Sequence, residues 1–285
     1  MTLFQPDYNI YFDSSDLTSA SNCLSKYGYC VIKSVMPLSW VEDLKREIDE
    51  VLDPSGNLPN ASNRYHMMFA EESDVLWRLM DHSPYLNFLR MIHGSDSICL
   101  HRSAAILRSS GEGMGNWHKD HRGHITYPKT ANDILNRLSI PSGCWFYLNG
   151  SHPDRSGIAV IEKSHFEDWK GPEGYQLTAE GSSFRPIDAT DDSACNWMDV
   201  PGCIAICSEP GDIICFASRT FHANMATNER RYSCGFGFRL KKDRIKAPWS
   251  LPSTSKALVN RLDSKYQTYL EGYTGFDGSW SRIPN

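Results

Sequence analysis

The order of apolar and polar residues predicts helices in the first third of the chain. Apolar residues recur at helical spacing over residues 16–26, 37–52, 73–80 and 84–93. Between the first two helices, the continuous apolar run at 29–32 is typical of a short buried strand. The residues before position 15 show neither period, and we expect them to form an extended arm.

From residue 98 onwards, helical spacing gives way to short apolar runs separated by turn residues. These runs occupy residues 98–107, 143–148, 157–161, 203–207, 212–216 and 233–240. Many short strands with turn signals between them are typical of a β-sandwich or barrel, and not of alternating β-α units. Helical spacing returns only at 253–272, where we predict a C-terminal helix. The pattern therefore predicts a mainly β fold with flanking helices.

One long connection, residues 171–202, is rich in glycine, serine, aspartate and proline. A segment of this length without regular structure is usually either a functional lid or disordered. Aromatic side chains such as Tyr175, Phe184 and Trp197 are uncommon in disordered segments, so the sequence favours a lid.

Composition narrows the class of protein. Apolar residues make up 40% of the 285 residues and charged residues 22%, as in ordinary globular proteins. The net charge of −5 and the absence of a basic run argue against a nucleic-acid partner, and no apolar run is long enough to span a membrane. Nine scattered cysteines favour reduced thiols in a cytoplasmic protein. With no repeat and no linker, one domain over residues 1–285 is expected.

The first candidate chemistry lies in the segment His118-Lys119-Asp120. Side chains two residues apart in extended backbone point the same way, so His118 and Asp120 can bind one metal ion together. A third ligand, His222, follows the predicted strand at 212–216. Two histidines and one carboxylate on one face of an iron ion leave three positions open for oxygen chemistry.

A candidate anion site follows nine residues after His222. Arg231 and Ser233 are two apart on a predicted strand and therefore share a face. A guanidinium binds a carboxylate through two parallel hydrogen bonds, and a hydroxyl can add a third. This pair suits the distal carboxylate of 2-oxoglutarate, whereas Arg230 is expected to point to the opposite face.

Taken together, these segments resemble the phytanoyl-CoA dioxygenase family of Fe(II)/2-oxoglutarate oxygenases over about residues 15–240. The matching segments are Trp117-His118-Lys119-Asp120, Cys144-Trp145-Phe146-Tyr147-Leu148, the run from Ser156 to His165, the run from Pro210 to Phe216, His222 and Arg231. The resemblance implies a double-stranded β-helix, or jelly-roll, core at about 96–241, supported by helices at about 15–95. His165, within the third segment, is interpreted as structural.

The same resemblance implies a function. His118, Asp120 and His222 are expected to bind Fe(II), and Arg231 to anchor 2-oxoglutarate, with O2 as the oxidant and ascorbate as the reductant in vitro. The expected reaction oxidises an unactivated C–H bond of a small molecule in specialised metabolism, by hydroxylation or by desaturation or oxidative cyclisation. The spacing from His222 to Arg231 is short for the family, which leaves Arg230 as the alternative anchor.

Further residues near these motifs have two interpretations each. Trp145 and either Arg108 or Arg102 line the co-substrate pocket, or they serve ordinary packing and salt bridges. Arg122 and His124, directly beyond Asp120, contact an acidic, carboxylate-bearing substrate, or they belong to a solvated loop.

Two other functions remain open from the sequence. One is a catalytically silent jelly-roll module that binds a metal or a ligand without turnover. The other is a zinc hydrolase or isomerase that uses the same three ligands. The second leaves Arg231 and Ser233 without a role, so the oxygenase is the preferred interpretation.

Overall fold

Two β-sheets face each other, and the candidate ligands lie between them. The computed structural model describes residues 6–120, 142–179, 181–190, 193–243 and 250–275. The strands are β1 (Tyr11–Asp13), β2 (Tyr29–Lys33), β3 (Asn63–Met67), β4 (Ile98–Arg108), β5 (Ser142–Tyr147), β6 (Ile158–Ile161), β7 (Tyr175–Leu177), β8 (Phe184–Pro186), β9 (Cys203–Ala205), β10 (Ile213–Ala217), β11 (His222–Asn224) and β12 (Arg231–Leu240). The helices are α1 (Leu17–Tyr27), α2 (Leu38–Leu52), α3 (Val75–Arg78), α4 (Ser83–His93) and α5 (Ser253–Arg261).

The larger sheet has seven strands in the order β1-β2-β10-β5-β12-β4-β3, and the smaller has three in the order β11-β6-β9. All pairings within them are antiparallel except β1 with β2. The inner faces meet where the ring of Phe216 on β10 lies 4.5 Å from the ring of His222 on β11. This is a double-stranded β-helix, as the resemblance implied.

The outer face of the larger sheet carries the main hydrophobic core. Phe236 on β12 packs edge-on against Trp77 of α3, with ring centroids 5.3 Å apart. The hydroxyl of Tyr85 on α4 donates to the carbonyl of Phe236 at 2.8 Å. Side chains alternate between the two faces of a strand, so the residues on either side of Phe236 point inward, towards the smaller sheet. The helices thus support the sheet from behind and leave its inner face for the site.

The first helix begins and ends where the sequence predicts. Asp16 caps α1 by accepting a hydrogen bond from the backbone N–H of Ser19. Gly28 ends the helix in the left-handed conformation, with φ of 92°. A Cβ at Gly28 would also lie 2.5 Å from Nδ1 of His165, so both the backbone angle and the close approach require glycine here.

The N-terminal part contains two strands that the pattern did not predict. Within the expected arm, Tyr11–Asp13 forms β1 and pairs in parallel with β2. The polar stretch after α2 contains the edge strand β3, in which Asn63, Arg64 and Tyr65 are exposed. An edge strand with so few buried side chains shows no apolar alternation, which is why the pattern missed it.

Two predicted helices are shorter than expected. The segment at 73–80 is helical only over Val75–Arg78 and continues as a 3-10 turn. The predicted C-terminal helix at 253–272 ends at Arg261 and is followed by a separate 3-10 turn at Ser264–Leu270. Asp263 separates the two, because its carboxylate accepts a hydrogen bond from the N–H of Lys265 and starts a new turn.

The long connection at 171–202 has structure of its own. It contains the β7–β8 hairpin, and Phe184 and Cys195 are completely buried in a second, smaller hydrophobic cluster. Trp117, also fully buried, donates from Nε1 to the carbonyl of Trp197 at 2.8 Å. For its described residues, the disordered alternative is therefore wrong. The connection packs beside the strand that carries His118.

The segment Lys163-Ser164-His165 supports the turn that leads into β11. Ser164 is buried, accepts a hydrogen bond from the N–H of Phe221 at 2.8 Å and donates to the carbonyl of Ile161 at 2.7 Å. Nε2 of His165 lies 3.0 Å from the carbonyl of Ser25 at the end of α1. His165 therefore contacts α1, which agrees with its structural interpretation.

Replacement of Ser164 by alanine is expected to lower the free energy of unfolding by about 1–3 kcal/mol, because it leaves the buried N–H of Phe221 without its acceptor and removes one of two donors to the carbonyl of Ile161. Urea denaturation followed by fluorescence measures the effect. Ser55→Ala, at an exposed position, is the matched control and should change stability by less than about 0.5 kcal/mol. A Ser164→Ala protein as stable as the wild type would contradict this account.

Candidate functional site

The main chains of the two candidate histidine ligands are hydrogen-bonded to each other. His118 donates its backbone N–H to the carbonyl of His222 at 3.0 Å, and His222 returns the bond at 2.8 Å. Residues that exchange both hydrogen bonds lie directly opposite each other in an antiparallel pair. Their imidazole rings consequently lie with centroids 4.4 Å apart.

Each imidazole is oriented by a backbone carbonyl two residues earlier in the chain. Nδ1 of His118 lies 2.8 Å from the carbonyl of Asn116, and Nδ1 of His222 lies 3.0 Å from that of Thr220. When Nδ1 donates its proton to a carbonyl, Nε2 carries the lone pair that binds a metal. Asp120 completes the cluster, and the ligand atoms of all three side chains lie within 4.8 Å of one another. Two imidazoles and a carboxylate in this arrangement suit iron with open positions.

The short segment that carries His118 and Asp120 is hydrogen-bonded on both sides. On one side, Gly115 donates its N–H to the carbonyl of Asn224 at 2.9 Å. On the other, Trp117 donates to Cys195 at 2.8 Å and Lys119 donates to Ser182 at 3.1 Å. Strand β11 and the 171–202 connection therefore both position the segment of the candidate ligands through main-chain hydrogen bonds.

The neighbouring residues Arg230 and Arg231 point to opposite faces of β12. Arg230 reaches outward to α2, where Nη2 lies 2.5 Å from Asp49 and 2.8 Å from Asp53. Arg231 points inward and is only 1% exposed. Of these two arginines, Arg231 lies on the inner face with the candidate ligands and Arg230 does not, so its position favours Arg231 as the candidate anchor.

The guanidinium of Arg231 is only partly satisfied. Its Nη1 donates to Oδ1 of Asn224 at 2.9 Å and lies 3.5 Å from the carbonyl of Gly157. Within the described part of the chain, Nε and Nη2 of Arg231 and the hydroxyl of Ser233 are buried without a hydrogen-bond partner. Burial lowers the pKa of Arg231 to about 10, so the side chain still carries its charge at neutral pH. Unpartnered buried donors beside a buried charge fit a carboxylate.

Arg108 lies directly opposite Arg231 on β4 and is also buried. It has a counter-charge, since Nη2 lies 3.2 Å from the carboxylate of Glu112 and 2.6 Å from the carbonyl of Gly113. Burial lowers the pKa of Arg108, and the Glu112 carboxylate opposes this effect. The pair Arg108–Glu112 is therefore balanced in charge, and Arg231 accounts for the remaining positive charge.

The family model of phytanoyl-CoA dioxygenases (PhyH) matches residues 24–232. This chain belongs to the phytanoyl-CoA dioxygenase family. It is therefore an Fe(II)- and 2-oxoglutarate-dependent dioxygenase, and O2 is its third requirement. The match includes all three candidate metal ligands and Arg231.

Solved structures of similar fold agree with this family. HygX from Streptomyces hygroscopicus, solved with nickel and 2-oxoglutarate bound, is 15% identical with a TM-score of 0.58, covering 76% of this chain and 84% of its own. The carbocyclase SnoK from nogalamycin biosynthesis is 16% identical, with a TM-score of 0.55 and coverage of 79% and 85%. EctD from S. alaskensis is 16% identical, with a TM-score of 0.55 and coverage of 86% of both chains. At these identities the likeness is one of fold.

A comparison with curated proteins finds no match. Among the described residues of the dioxygenase, no helix has the length and apolar character needed to cross a bilayer.

Two aromatic residues of β5 complete the wall next to Arg231. Tyr147, which pairs with Ser233, is buried, and Cζ of Arg231 lies 5.3 Å from the centre of its ring. Trp145 shares that face by alternation and lies against Gly235, where a Cβ would approach the indole to 3.4 Å. Burial raises the pKa of Tyr147, so its hydroxyl stays protonated and can donate a hydrogen bond.

The structure brings most of the predicted site residues together. The inner surface between the sheets holds His118, Asp120, His222, Arg108, Trp145, Arg231 and Ser233. Arg102 has its Nη2 3.5 Å from the sulfur of Met67, and Arg122 and His124 lie outside the described residues. Sequence reasoning missed Tyr147 and Asn224. For Tyr147 a signal existed, since it is two residues from Trp145 on a predicted strand.

We expect the same substitution at the two adjacent arginines to have different effects on the stability of the metal-free dioxygenase. Arg230→Met should lower the urea midpoint, because it leaves Asp49 and Asp53 without their cation. Arg231→Met should leave the midpoint unchanged or raise it, because it removes a buried charge that forms no ion pair with the described residues.

Equilibrium urea unfolding of the two variants at neutral pH tests this difference. Each serves as the control for the other, since they carry the same substitution at adjacent positions. If Arg231→Met were the less stable of the two, the charge of Arg231 would have to be compensated within the protein.

Proposed function

We propose that His118, Asp120 and His222 bind the Fe(II) of this dioxygenase, and that Arg231 and Ser233 anchor the distal carboxylate of 2-oxoglutarate. The observation that carries the proposal is the set of buried, unpartnered donors, Nε and Nη2 of Arg231 and Oγ of Ser233. They share the inner surface with the three ligand side chains. A dicarboxylic acid whose other end reaches the metal would satisfy both groups.

When bound, iron and 2-oxoglutarate use O2 to oxidise an unactivated C–H bond and release succinate and carbon dioxide. The residues of the chain orient the reactants and exclude water. Arg231 forms two parallel hydrogen bonds to one carboxylate, which defines both the position and the direction of the co-substrate. Tyr147 and Trp145 wall this end of the site with aromatic surface.

The substrate is proposed to be a small molecule of specialised metabolism. SnoK is described as a carbocyclase, and the epimerase SnoN was solved with nogalamycin RO, iron and 2-oxoglutarate. These activities belong to proteins of the same fold at 16–17% identity. Hydroxylation is the default outcome, with desaturation or oxidative cyclisation as variants. A carboxylate on the substrate stays a prediction from Arg122 and His124.

We also propose that residues 1–285 form a single catalytic domain that works in the cytoplasm. In support, the N-terminal strands β1 and β2 belong to the same sheet as β5 and β12. All nine cysteines lie in the described segments as free thiols, including Cys144 and Cys215, whose sulfur atoms are 3.8 Å apart. Free thiols at that distance suit a reducing compartment.

Wild-type protein with Fe(II), ascorbate, O2 and 2-oxoglutarate should release succinate, most rapidly when the panel of candidate small molecules includes the substrate. Asp120→Ala should lower the rate at least about 100-fold, because the metal loses its carboxylate. Mass spectrometry of succinate measures both. Lys119→Met is the matched control, since Lys119 packs over the ring of Phe221, and it should retain turnover. Absence of succinate from the iron-loaded wild type would support the silent binding module instead.

Ser233→Ala should raise the KM for 2-oxoglutarate about tenfold with little change in kcat, because it removes one hydrogen bond to a charged group. Initial rates of succinate formation at varied 2-oxoglutarate give both constants. Ser103→Ala is the control on the outer face of the same sheet, where the hydroxyl accepts from the N–H of Ala70. An equal KM in Ser233→Ala and wild type would remove Ser233 from the co-substrate site.

A further inference from the structure

Asn224 connects the candidate metal site to Arg231. It lies two residues after His222 on β11, so both side chains lie on the same face of that strand. Its Oδ1 accepts a hydrogen bond from Nη1 of Arg231 at 2.9 Å, and the hydroxyl of Tyr147 donates to the same oxygen at 3.4 Å. The three-residue strand β11 therefore carries both a candidate metal ligand, His222, and the residue that contacts Arg231, Asn224.

The contact decides which edge of the guanidinium is available. Asn224 and the carbonyl of Gly157 occupy Nη1, whereas Nε and Nη2 have no partner among the described residues. The N–H groups of Nε and Nη2 lie side by side on one edge of the planar guanidinium and match the two oxygens of a carboxylate. The contact with Asn224 thus leaves the edge formed by Nε and Nη2 without a partner among the described residues.

The acceptors that contact Arg231 also differ in charge from those that contact its neighbouring arginines. The other two arginines at this end of the sheet are paired with carboxylates, Arg230 with Asp49 and Asp53 and Arg108 with Glu112. Arg231 instead has neutral acceptors, an amide oxygen and a carbonyl oxygen. An aspartate at position 224 could accept the same hydrogen bond but would also neutralise the cation. The amide orients Arg231 and leaves its charge available for an anion.

We propose that Asn224 is a positioning residue for co-substrate binding, which orients Arg231 through a neutral hydrogen bond and so preserves its charge for the carboxylate of 2-oxoglutarate. This inference rests on the proposed function. It adds a role for a side chain outside the metal ligands and the anchor itself. It also explains why the anchor keeps a fixed position relative to the metal, since His222 and Asn224 move together on β11.

The test compares Asn224→Asp and Asn224→Ala with the wild type. The affinity for 2-oxoglutarate is measured by calorimetry on protein loaded with Mn(II), which keeps the site filled without turnover. Asn224→Asp should keep the melting temperature and weaken 2-oxoglutarate binding on the order of 100-fold, because it retains the hydrogen bond and cancels the charge. Asn224→Ala should weaken binding about tenfold, because Arg231 keeps its charge and loses its orientation.

Asn228→Asp is the charge control, because it places the same substitution at an exposed position four residues further along. It should leave the affinity within about twofold of the wild type, well inside the 1.4 kcal/mol that a tenfold change requires. Steady-state kinetics of the iron-loaded variants should rank their KM values for 2-oxoglutarate in the same order as their affinities. The kcat at saturating 2-oxoglutarate should change little.

A folded Asn224→Asp protein that binds 2-oxoglutarate as tightly as the wild type would overturn the inference. If that variant does not fold, unchanged affinity in Asn224→Ala would overturn it equally. Wild-type protein that binds no 2-oxoglutarate at all would instead overturn the proposed function on which the inference rests.

Discussion

The site depends on one pair of main-chain hydrogen bonds, those between His118 and His222. An antiparallel pair that exchanges both bonds places the two side chains opposite each other at a fixed spacing, whatever those side chains are. The backbone thereby fixes the separation of the imidazoles, and the carbonyls of Asn116 and Thr220 fix their rotation. Strand β11 and the 171–202 connection both hydrogen-bond to the segment that contains His118, so they support this spacing from either side.

A second constraint is electrostatic. Arg108, Arg230 and Arg231 lie close together at one end of the larger sheet; Arg108 and Arg230 form ion pairs with carboxylates, whereas Arg231 contacts neutral acceptors. A buried charge without a counter-ion costs free energy of folding. Arg231 is the one that carries this cost, and it is also the one that points at the candidate ligands. The buried charge of Arg231 therefore lowers the stability of the protein at a place where the carboxylate of an anionic co-substrate would neutralise it.

Much of this site could be predicted from sequence because it is built from period-two patterns. Arg231 and Ser233 lie two apart on β12, and His118 and Asp120 lie two apart in a short segment paired with β11, so the spacing alone indicates which side chains share a face. Asn224 could not be predicted in the same way, because its role depends on a contact between the two sheets, which the alternation within one strand does not reveal. The edge strand β3 was not predicted for another reason, since its mostly exposed side chains show no alternation of apolar and polar residues. The end of α5 at Arg261 was not predicted either, because the apolar pattern of a helix continues past it while the carboxylate of Asp263 starts a new turn.

The adjacency of Arg230 and Arg231 has a consequence for how β12 finds its place during folding. Successive residues of a strand face opposite ways, so a slip of one residue would exchange the two arginines. The slipped strand would turn Arg231 towards α2 and Arg230 into the space between the sheets. In that alignment Arg231 would lie beside Asp49 and Asp53 and could pair with them, whereas in the native alignment these carboxylates pair with Arg230. The native register therefore leaves Arg231 on the inner surface, away from the carboxylates of Asp49 and Asp53, where its charge is available for the proposed anchoring role.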